Sequence, residues 1–296
     1  MSKLAAGIDI GGSTITGGLF DRNLKLVHHC QQVDSRGLQN GNDLVAATLA
    51  GIDEALAEHG KARADLAGIG IGCPGPLDIK RGVVLETPNL TQLNGYALRD
   101  RFSEESGVPV WLDNDANVFT LGEARAGAGQ GAPYVVGITL GTGLGWGIVL
   151  NEKTYHGATG TAAEYGLSAW GPGRSWEDHI SIRGLLNTFR ELGGTAETPR
   201  EVSELADRGD LHALRAWREY GAVLGLAISH AVNMLDPHVV VLGGAMAQAW
   251  DYFAPAMLES LHSNIFTLPR EQLKVLPSQL GKDAALVGAA SQVTFP

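Results

Sequence analysis

The feature that most constrains this chain is one pattern stated twice: an apolar strand, a glycine turn and a second apolar strand. Leu4–Ile10 runs into Gly11-Gly12-Ser13 and restarts as Thr14–Phe20. Tyr134–Leu140 runs into Gly141-Thr142-Gly143 and restarts as Gly145–Leu150. A duplicated unit with two facing turns could hold an anion between its halves, because successive backbone N–H groups in such turns form anion-binding nests. Two unrelated hairpins would read the same way, since Gly-Gly pairs favour tight turns. The 40 glycines cluster at 7–18, 68–75, 127–147, 157–173 and 243–244, mostly where apolar runs meet. Glycine at strand ends signals tight turns or backbone close to a ligand, so the clusters read as a cleft built from loops.

Between the two statements the periodicity predicts a half-exposed strand over Leu24–Val33 and a buried strand over Leu66–Ile71 that ends at Cys73-Pro74-Gly75. Leu44, Val45, Thr48, Leu49, Ile52 and Leu56 fall at helical spacing and predict a helix over Asp43–His59. A strand over Val108–Leu112 leads into Asp113-Asn114-Asp115-Ala116-Asn117 and a helix over Asn117–Ala126. Further helices are expected over Trp176–Phe189, Leu211–Met234, Ala247–His262 and Ala284–Gln292, with strands at Val239–Leu242 and Leu273–Pro277. Three strands, a helix and a strand suggest an antiparallel unit extended by a parallel crossover.

Composition excludes several classes. The net charge is −10 and no Lys/Arg-rich run occurs, which argues against a nucleic-acid partner. Two cysteines, Cys30 and Cys73, make no disulfide framework. No apolar run reaches the ~18 residues of a membrane span, and Met1 leads straight into a strand without a leader-like apolar region, so a cytoplasmic protein is expected. Gly70-Ile-Gly-Cys-Pro-Gly75 spells a dinucleotide fingerprint, but Pro74 stands where its helix would start. His28-His29-Cys30 lies in a strand, where neighbouring side chains point to opposite faces.

Six motifs occur in order: Gly7-x-Asp9-x-Gly11-Gly12-Ser13, Gly72-x-Pro74-Gly75-Pro76, Pro88-Asn89-Leu90, Asn114-Asp115-Ala116-Asn117, Leu140-Gly141-Thr142-Gly143-Leu144-Gly145 and Val241-Leu242-Gly243-Gly244. The ordered set resembles the ROK family of bacterial sugar kinases, in the actin-like ATPase superfamily, over essentially the whole chain. The resemblance implies a two-domain α/β fold of the ribonuclease H-like kind, with duplicated βββαβα units and an interdomain cleft. The domains would be 1–112 with 282–296, and 113–281. It implies transfer of the γ-phosphoryl group of ATP to a hexose hydroxyl, glucose to glucose 6-phosphate by default, and a homodimer. N-acetylglucosamine, mannose, fructose and allose remain open as acceptors, and polyphosphate as donor. A non-catalytic sugar-responsive regulator is the rival of a different class; it would carry a DNA-binding segment ahead of the fold, and here the first strand begins almost at Met1.

By the same resemblance, Asp115 is the catalytic base, a carboxylate able to accept a sugar hydroxyl proton as bonding to phosphorus develops. Aspartate is also a preferred helix N-cap, the structural alternative at this position. Gly75, Asn89, Asn114, Glu164 and Glu177 would join Asp115 around the sugar. Asp9 would hold Mg²⁺ through water beside Gly11, Gly12, Ser13 and Thr14, and Gly141, Thr142, Gly143, Gly243 and Gly244 would cradle the nucleotide. Glu164 lies in Gly160-Thr-Ala-Ala-Glu-Tyr-Gly166, similar to the family's Gly-x-x-Gly-Glu-x-Gly-His. Two departures stand out. Leu167 replaces the histidine, which should make that wall of the pocket more apolar. The segment Ser168–Trp176 lacks every cysteine of the family's zinc loop, which leaves Trp170, Trp176 and Pro172 to order it. A closed zinc site needs four ligands at short spacing. Elemental analysis of dialysed protein should therefore find no zinc; a stoichiometric amount would overturn this reading of the loop.

Overall fold

The computed structural model describes residues 3–87 and 90–296. The first half contains β1 (Leu4–Ile10), β2 (Thr14–Phe20), β3 (Leu26–His29), β4 (Val33–Asp34), α1 (Gly41–Ala57), β5 (Leu66–Cys73), the short hairpin β6 (Leu77–Asp78) and β7 (Val83–Val84), α2 (Leu98–Ser106) and β8 (Val110–Asn114). The second contains α3 (Asp115–Ala126), β9 (Tyr134–Leu140), β10 (Leu144–Leu150), β11 (Lys153–Thr154), the hairpin β12 (Ala169–Gly171) and β13 (Arg174–Ser175), α4 (Ile182–Glu191), α5 (Pro199–Asp207), α6 (Leu211–Leu235), β14 (Val239–Gly243), α7 (Trp250–Ser263), α8 (Thr267–Gln272), β15 (Lys274–Pro277) and α9 (Ala284–Ser291).

The repeated sequence pattern is a repeated topology. One sheet runs β3-β2-β1-β5-β8, with β4 beside β2, and the other runs β11-β10-β9-β14-β15. In each, the first three strands are antiparallel and the last two run parallel to the first. This is the duplicated α/β architecture that the resemblance implies.

Each sheet buries one face against its own helices. Leu44, Val45, Leu49 and Ile52 of α1 meet Ile8, Ile10, Ile69 and Ile71 of the first sheet. Trp217, Leu224 and Ile228 of α6 and Phe253 and Met257 of α7 join Val136, Ile138, Val240 and Leu242 of the second. The opposite faces meet α3 and α9. A Cβ at Gly7 would lie 2.2 Å from the Leu286 carbonyl oxygen, and one at Gly70 would lie 1.8 Å from that of Ala289. At Gly122 and Gly288 the intruded atoms are the Ala284 and Val118 carbonyl oxygens, at 2.0 and 1.7 Å. Gly137 and Gly147 would each clash with the Thr120 hydroxyl. Many glycines read from sequence as ligand loops are thus helix-packing positions.

Several element boundaries differ from expectation by a few residues, three of them for a visible reason. The strand expected over Leu24–Val33 is confined to β3 and β4, because Asp21 accepts the N–H groups of Asn23 and Lys25 and Leu24 takes a φ of +61° in that turn. Helix α3 starts at Asp115 rather than Asn117, since the Asn114 side chain accepts from the N–H of Ala116 and caps it. The helix expected from Trp176 starts at Ile182, capped by Ser181. Among the described residues, no helix is long and apolar enough to cross a membrane.

The packing of α3 on α9 yields a direct expectation. Gly288→Ala should destabilise the protein by roughly 2–3 kcal/mol or more in denaturant titration, because a methyl group must displace backbone. Gly37→Ala, with open space around its Cβ position, should stay within about 0.5 kcal/mol.

Candidate active site

Parallel strands present their carboxyl ends at one edge, where open α/β sheets bind ligands. Pairing of β1 with β5 and of β5 with β8 aligns Asp9, Gly72 and Asp113 across that edge. In the second sheet, Thr139 aligns with Gly243. Between the two edges lies a cleft of about 600 Å³. Of the residues singled out from sequence, Gly11, Gly12, Ser13, Gly75, Asn114, Asp115, Gly141, Thr142, Gly143, Glu164, Glu177 and Gly244 all line it.

Three of the remaining four, Asp9, Thr14 and Gly243, do not line it. Asp9 does not line the cleft directly; a Cβ on Gly72 would lie 3.6 Å from its Oδ1 and 3.7 Å from the Asp115 Cα, which puts Asp9 and Asp115 both beside that glycine. Thr14 begins β2 away from the cleft, and its carbonyl accepts the Gly11 N–H at 2.8 Å. Gly243 is buried, makes room for the Phe119 ring, 2.4 Å from a Cβ, and lies on the wall of a second cavity. Asn89 lies outside the described residues. Gly244 is the glycine of the pair that the cleft requires, with a φ of +84° against the Leu140 backbone. Beyond Gly244 a second cavity of about 440 Å³ opens, bordered by Gln248, Ser278, Gly281 and Lys282.

The two glycine turns use some of their N–H groups internally. Gly11 donates to Thr14 and Gly141 donates to Gly143. Among the described residues, the N–H groups of Gly12, Ser13, Thr142 and Gly143 have no protein acceptor, which leaves them for an anion.

Asp115 is the first residue of α3, and Asn114 carries the cap. Asn114 is thus the N-cap, while Asp115 Oδ1 shares the Ala116 N–H at 2.8 Å. Burial raises the Asp115 pKa, partly offset by the Ala116 N–H and the Asn114 side chain. Burial, and then the charge of Asp115, push Asp9 up to about 7. Desolvation by the cleft walls, and then the charges of Asp115 and Glu177, raise Glu164. Glu177 is anchored by the Leu144 N–H at 3.0 Å, and a Cβ on Gly143 would stand 2.8 Å from the same carboxylate oxygen. Gly75 approaches the Asn114 amide and the Glu164 carboxyl, 3.3 and 3.7 Å from its Cβ position.

The loop bearing Glu164 and Glu177 is ordered by rings. Trp176 is buried, packs edge-on to Trp170 at 4.5 Å and stacks on Tyr165 at 5.4 Å, and Tyr165 meets Trp146 at 4.8 Å. The Tyr165 hydroxyl hydrogen-bonds His230 at 2.6 Å. Ala163, immediately before Glu164, has a φ of +71°, a left-handed conformation that explains the glycine of the motif it resembles. Leu167 does not form the apolar wall expected of it. It is 69% exposed, and Leu144 and Trp146 supply that surface instead.

Sequence reasoning missed Asp113 and His156. Asp113 is buried, accepts from the Asn114 N–H and the Asn117 amide, and pairs with His156 at 2.7 Å. That partnership raises the His156 pKa. It ties the loop leading to Glu164 onto the strand leading to Asp115. Asp113 stood in a recognisable run, but nothing local marks a histidine whose partner is 43 positions away.

The family model that matches, described as the ROK family, spans residues 5–294. A glucokinase of Halalkalibacterium halodurans is 31% identical, with 95% of this chain and 92% of that protein covered. Among solved structures, the ROK hexokinase from Thermus thermophilus superposes with a TM-score of 0.86 at 30% identity, covering 98% of this chain and 97% of that one. The ROK family glucokinase from Streptomyces griseus, in complex with glucose and AMPPNP, gives 0.81 at 30% identity over 98% and 99%.

The raised pKa of Asp9 has a testable consequence for stability. The folded state holds its proton more tightly than the unfolded chain, so this contribution is complete below about 4 and is lost as pH rises through about 7. Asp9→Asn should raise the Tm of the ligand-free protein at pH 8, and by much less at pH 5. An equal effect at both values would contradict the burial of an ionised Asp9.

Proposed function

Because the chain belongs to the ROK family, we propose that it is a sugar kinase that transfers the γ-phosphoryl group of ATP to a hexose, glucose being the favoured acceptor, with Asp115 as base. The observation that carries this reading is a carboxylate at the start of α3, next to the capping Asn114, raised in pKa and facing a cleft between two turns with unclaimed N–H groups.

A sugar hydroxyl is a poor nucleophile, and a raised carboxylate is the stronger base for it. With the acceptor hydroxyl against Asp115, its proton passes to that carboxylate as its oxygen bonds to phosphorus. Asn114, Glu164 and Glu177 offer acceptors and an amide donor, which suits neighbouring hydroxyls that both donate and accept. Glu177 is held rigidly by Leu144 and Gly143, so it can orient a sugar at little entropic cost. The N–H groups of Gly12, Ser13, Thr142 and Gly143 are suited to phosphate oxygens, and the cavity beyond Gly244 to the nucleoside. The division expected from sequence, 1–112 with 282–296 against 113–281, would let one body close on the other and exclude water.

The residues present also fit a divalent cation. Neither Asp9 nor Asp115 has a cationic partner among the described residues, and no cluster of three ligating side chains occurs there. Magnesium, which keeps waters and takes few protein ligands, would then be held through water by Asp9 and by the phosphates, and would neutralise charge on the transferred group.

An ADP-release assay over a hexose panel tests the reading. Glucose should be turned over with a higher kcat/KM than fructose, activity should stop with excess chelator, and Asp115→Asn should lower kcat by roughly a hundredfold or more while leaving glucose affinity nearly intact. A panel with no hexose turned over rejects the kinase, and a near wild-type single-turnover rate in the variant rejects the base.

A further inference from the structure

Glu123 is fully buried on α3, eight residues past Asp115, and the chemistry above makes no use of it. A carboxylate in such a place must be satisfied by hydrogen bonds, and this one accepts four. Oε2 accepts from the Ala128 N–H at 2.8 Å and the Gln279 N–H at 3.2 Å. Oε1 accepts from the Ser278 hydroxyl at 2.5 Å and the Leu280 N–H at 2.9 Å. Three of these donors belong to one turn, between β15 and α9. That turn is otherwise held by the Ser278 N–H on the Leu242 carbonyl and by the Gly281 N–H on the Ser278 hydroxyl. Ser278, Gly281 and Lys282 of the same segment form one wall of the 440 Å³ cavity, opposite Gly244 and Gln248.

We propose that Glu123 is a positioning residue for the nucleoside of the phosphoryl donor: by gathering Ser278, Gln279 and Leu280 onto one carboxylate, it fixes the wall of the cavity beyond Gly244. This rests on reading that cavity as the nucleoside end of the cleft. Because Asp115 and Glu123 share α3, the same helix that presents the base to the sugar also sets the far wall of the nucleotide site. The connection passes through rigid elements. Thr120 of α3 is seated on Gly137 and Gly147, and Gly122 on the start of α9. Glu123 ties that wall directly to α3 through Ser278, Gln279 and Leu280.

Glu123→Gln is nearly isosteric but places an amide NH₂ against N–H donors whichever way it turns. It should raise the Kd for ADP, measured by calorimetry, and the KM for ATP by about tenfold, as expected for one buried group left unsatisfied. The KM for glucose should change by less than about twofold. Ser278→Ala, which removes one donor, should shift the same two constants in the same direction by about two- to threefold, and it keeps the test open if the first variant folds poorly. Equal shifts for ATP and glucose, a shift for glucose alone, or an unchanged ADP Kd in both variants would overturn the proposal, even where the Tm falls. Calorimetry with ADP reads the tie without turnover, so a protein that binds ADP but phosphorylates no hexose would sink the kinase reading and leave this assignment standing on the Kd shift.

Discussion

The architecture depends on one contact: α3 and α9 touch backbone to backbone between the two sheets. Four glycines make it possible, Gly7 and Gly70 under α9 and Gly122 and Gly288 where the helices meet. On the other side, Gly137 and Gly147 let α3 settle onto β9 and β10 with Thr120 between them. At Gly7, Gly70, Gly122 and Gly288 the nearest atoms are backbone, which cannot yield as a side chain can, so the helices have little freedom to slide. That rigidity carries into the site, because α3 begins at Asp115 and α9 begins just after the turn that walls the second cavity.

Charge in the interior follows two different rules. Asp113 and Glu123 are buried and fully engaged, the first by Asn114, Asn117 and His156, the second by four donors. They act as fasteners, joining the loop of Glu164 to β8 and the β15–α9 turn to α3. Asp9, Asp115 and Glu164 are instead pushed up in pKa, Asp115 by burial and the other two by burial and then by the charge of Asp115. Unpaired like charge of this kind costs stability in the ligand-free protein. Raised carboxylates of this kind cluster at functional sites.

The loop between β11 and α4 is ordered by rings. Trp146, Tyr165, Trp170 and Trp176 pack around each other, and Tyr165 is fixed further by His230 of α6. Aromatic rings bury large areas with few rotatable bonds, so a short segment can be ordered by them. Glu177 follows Trp176 directly and inherits that order, ending on the Leu144 N–H.

Local pattern in the chain was enough for the duplicated strand–turn–strand units, the long amphipathic helices and the ordered motifs, which hold ten of the twelve cleft residues singled out. These features are legible because hydrophobic period and turn chemistry act over a few neighbouring residues. Only the tertiary structure decided what each glycine is for. Gly243 answers to the Phe119 ring and Gly70 to the Ala289 carbonyl, while Gly244 answers to its own backbone conformation and to the cleft. It also decided that Asn114, and not Asp115, caps α3, and it paired His156 with Asp113 and Glu123 with Ser278 across 43 and 155 positions. Packing distance and hydrogen-bond partnership between remote segments exist only once the chain has closed on itself, so no run of neighbouring residues carries their signature.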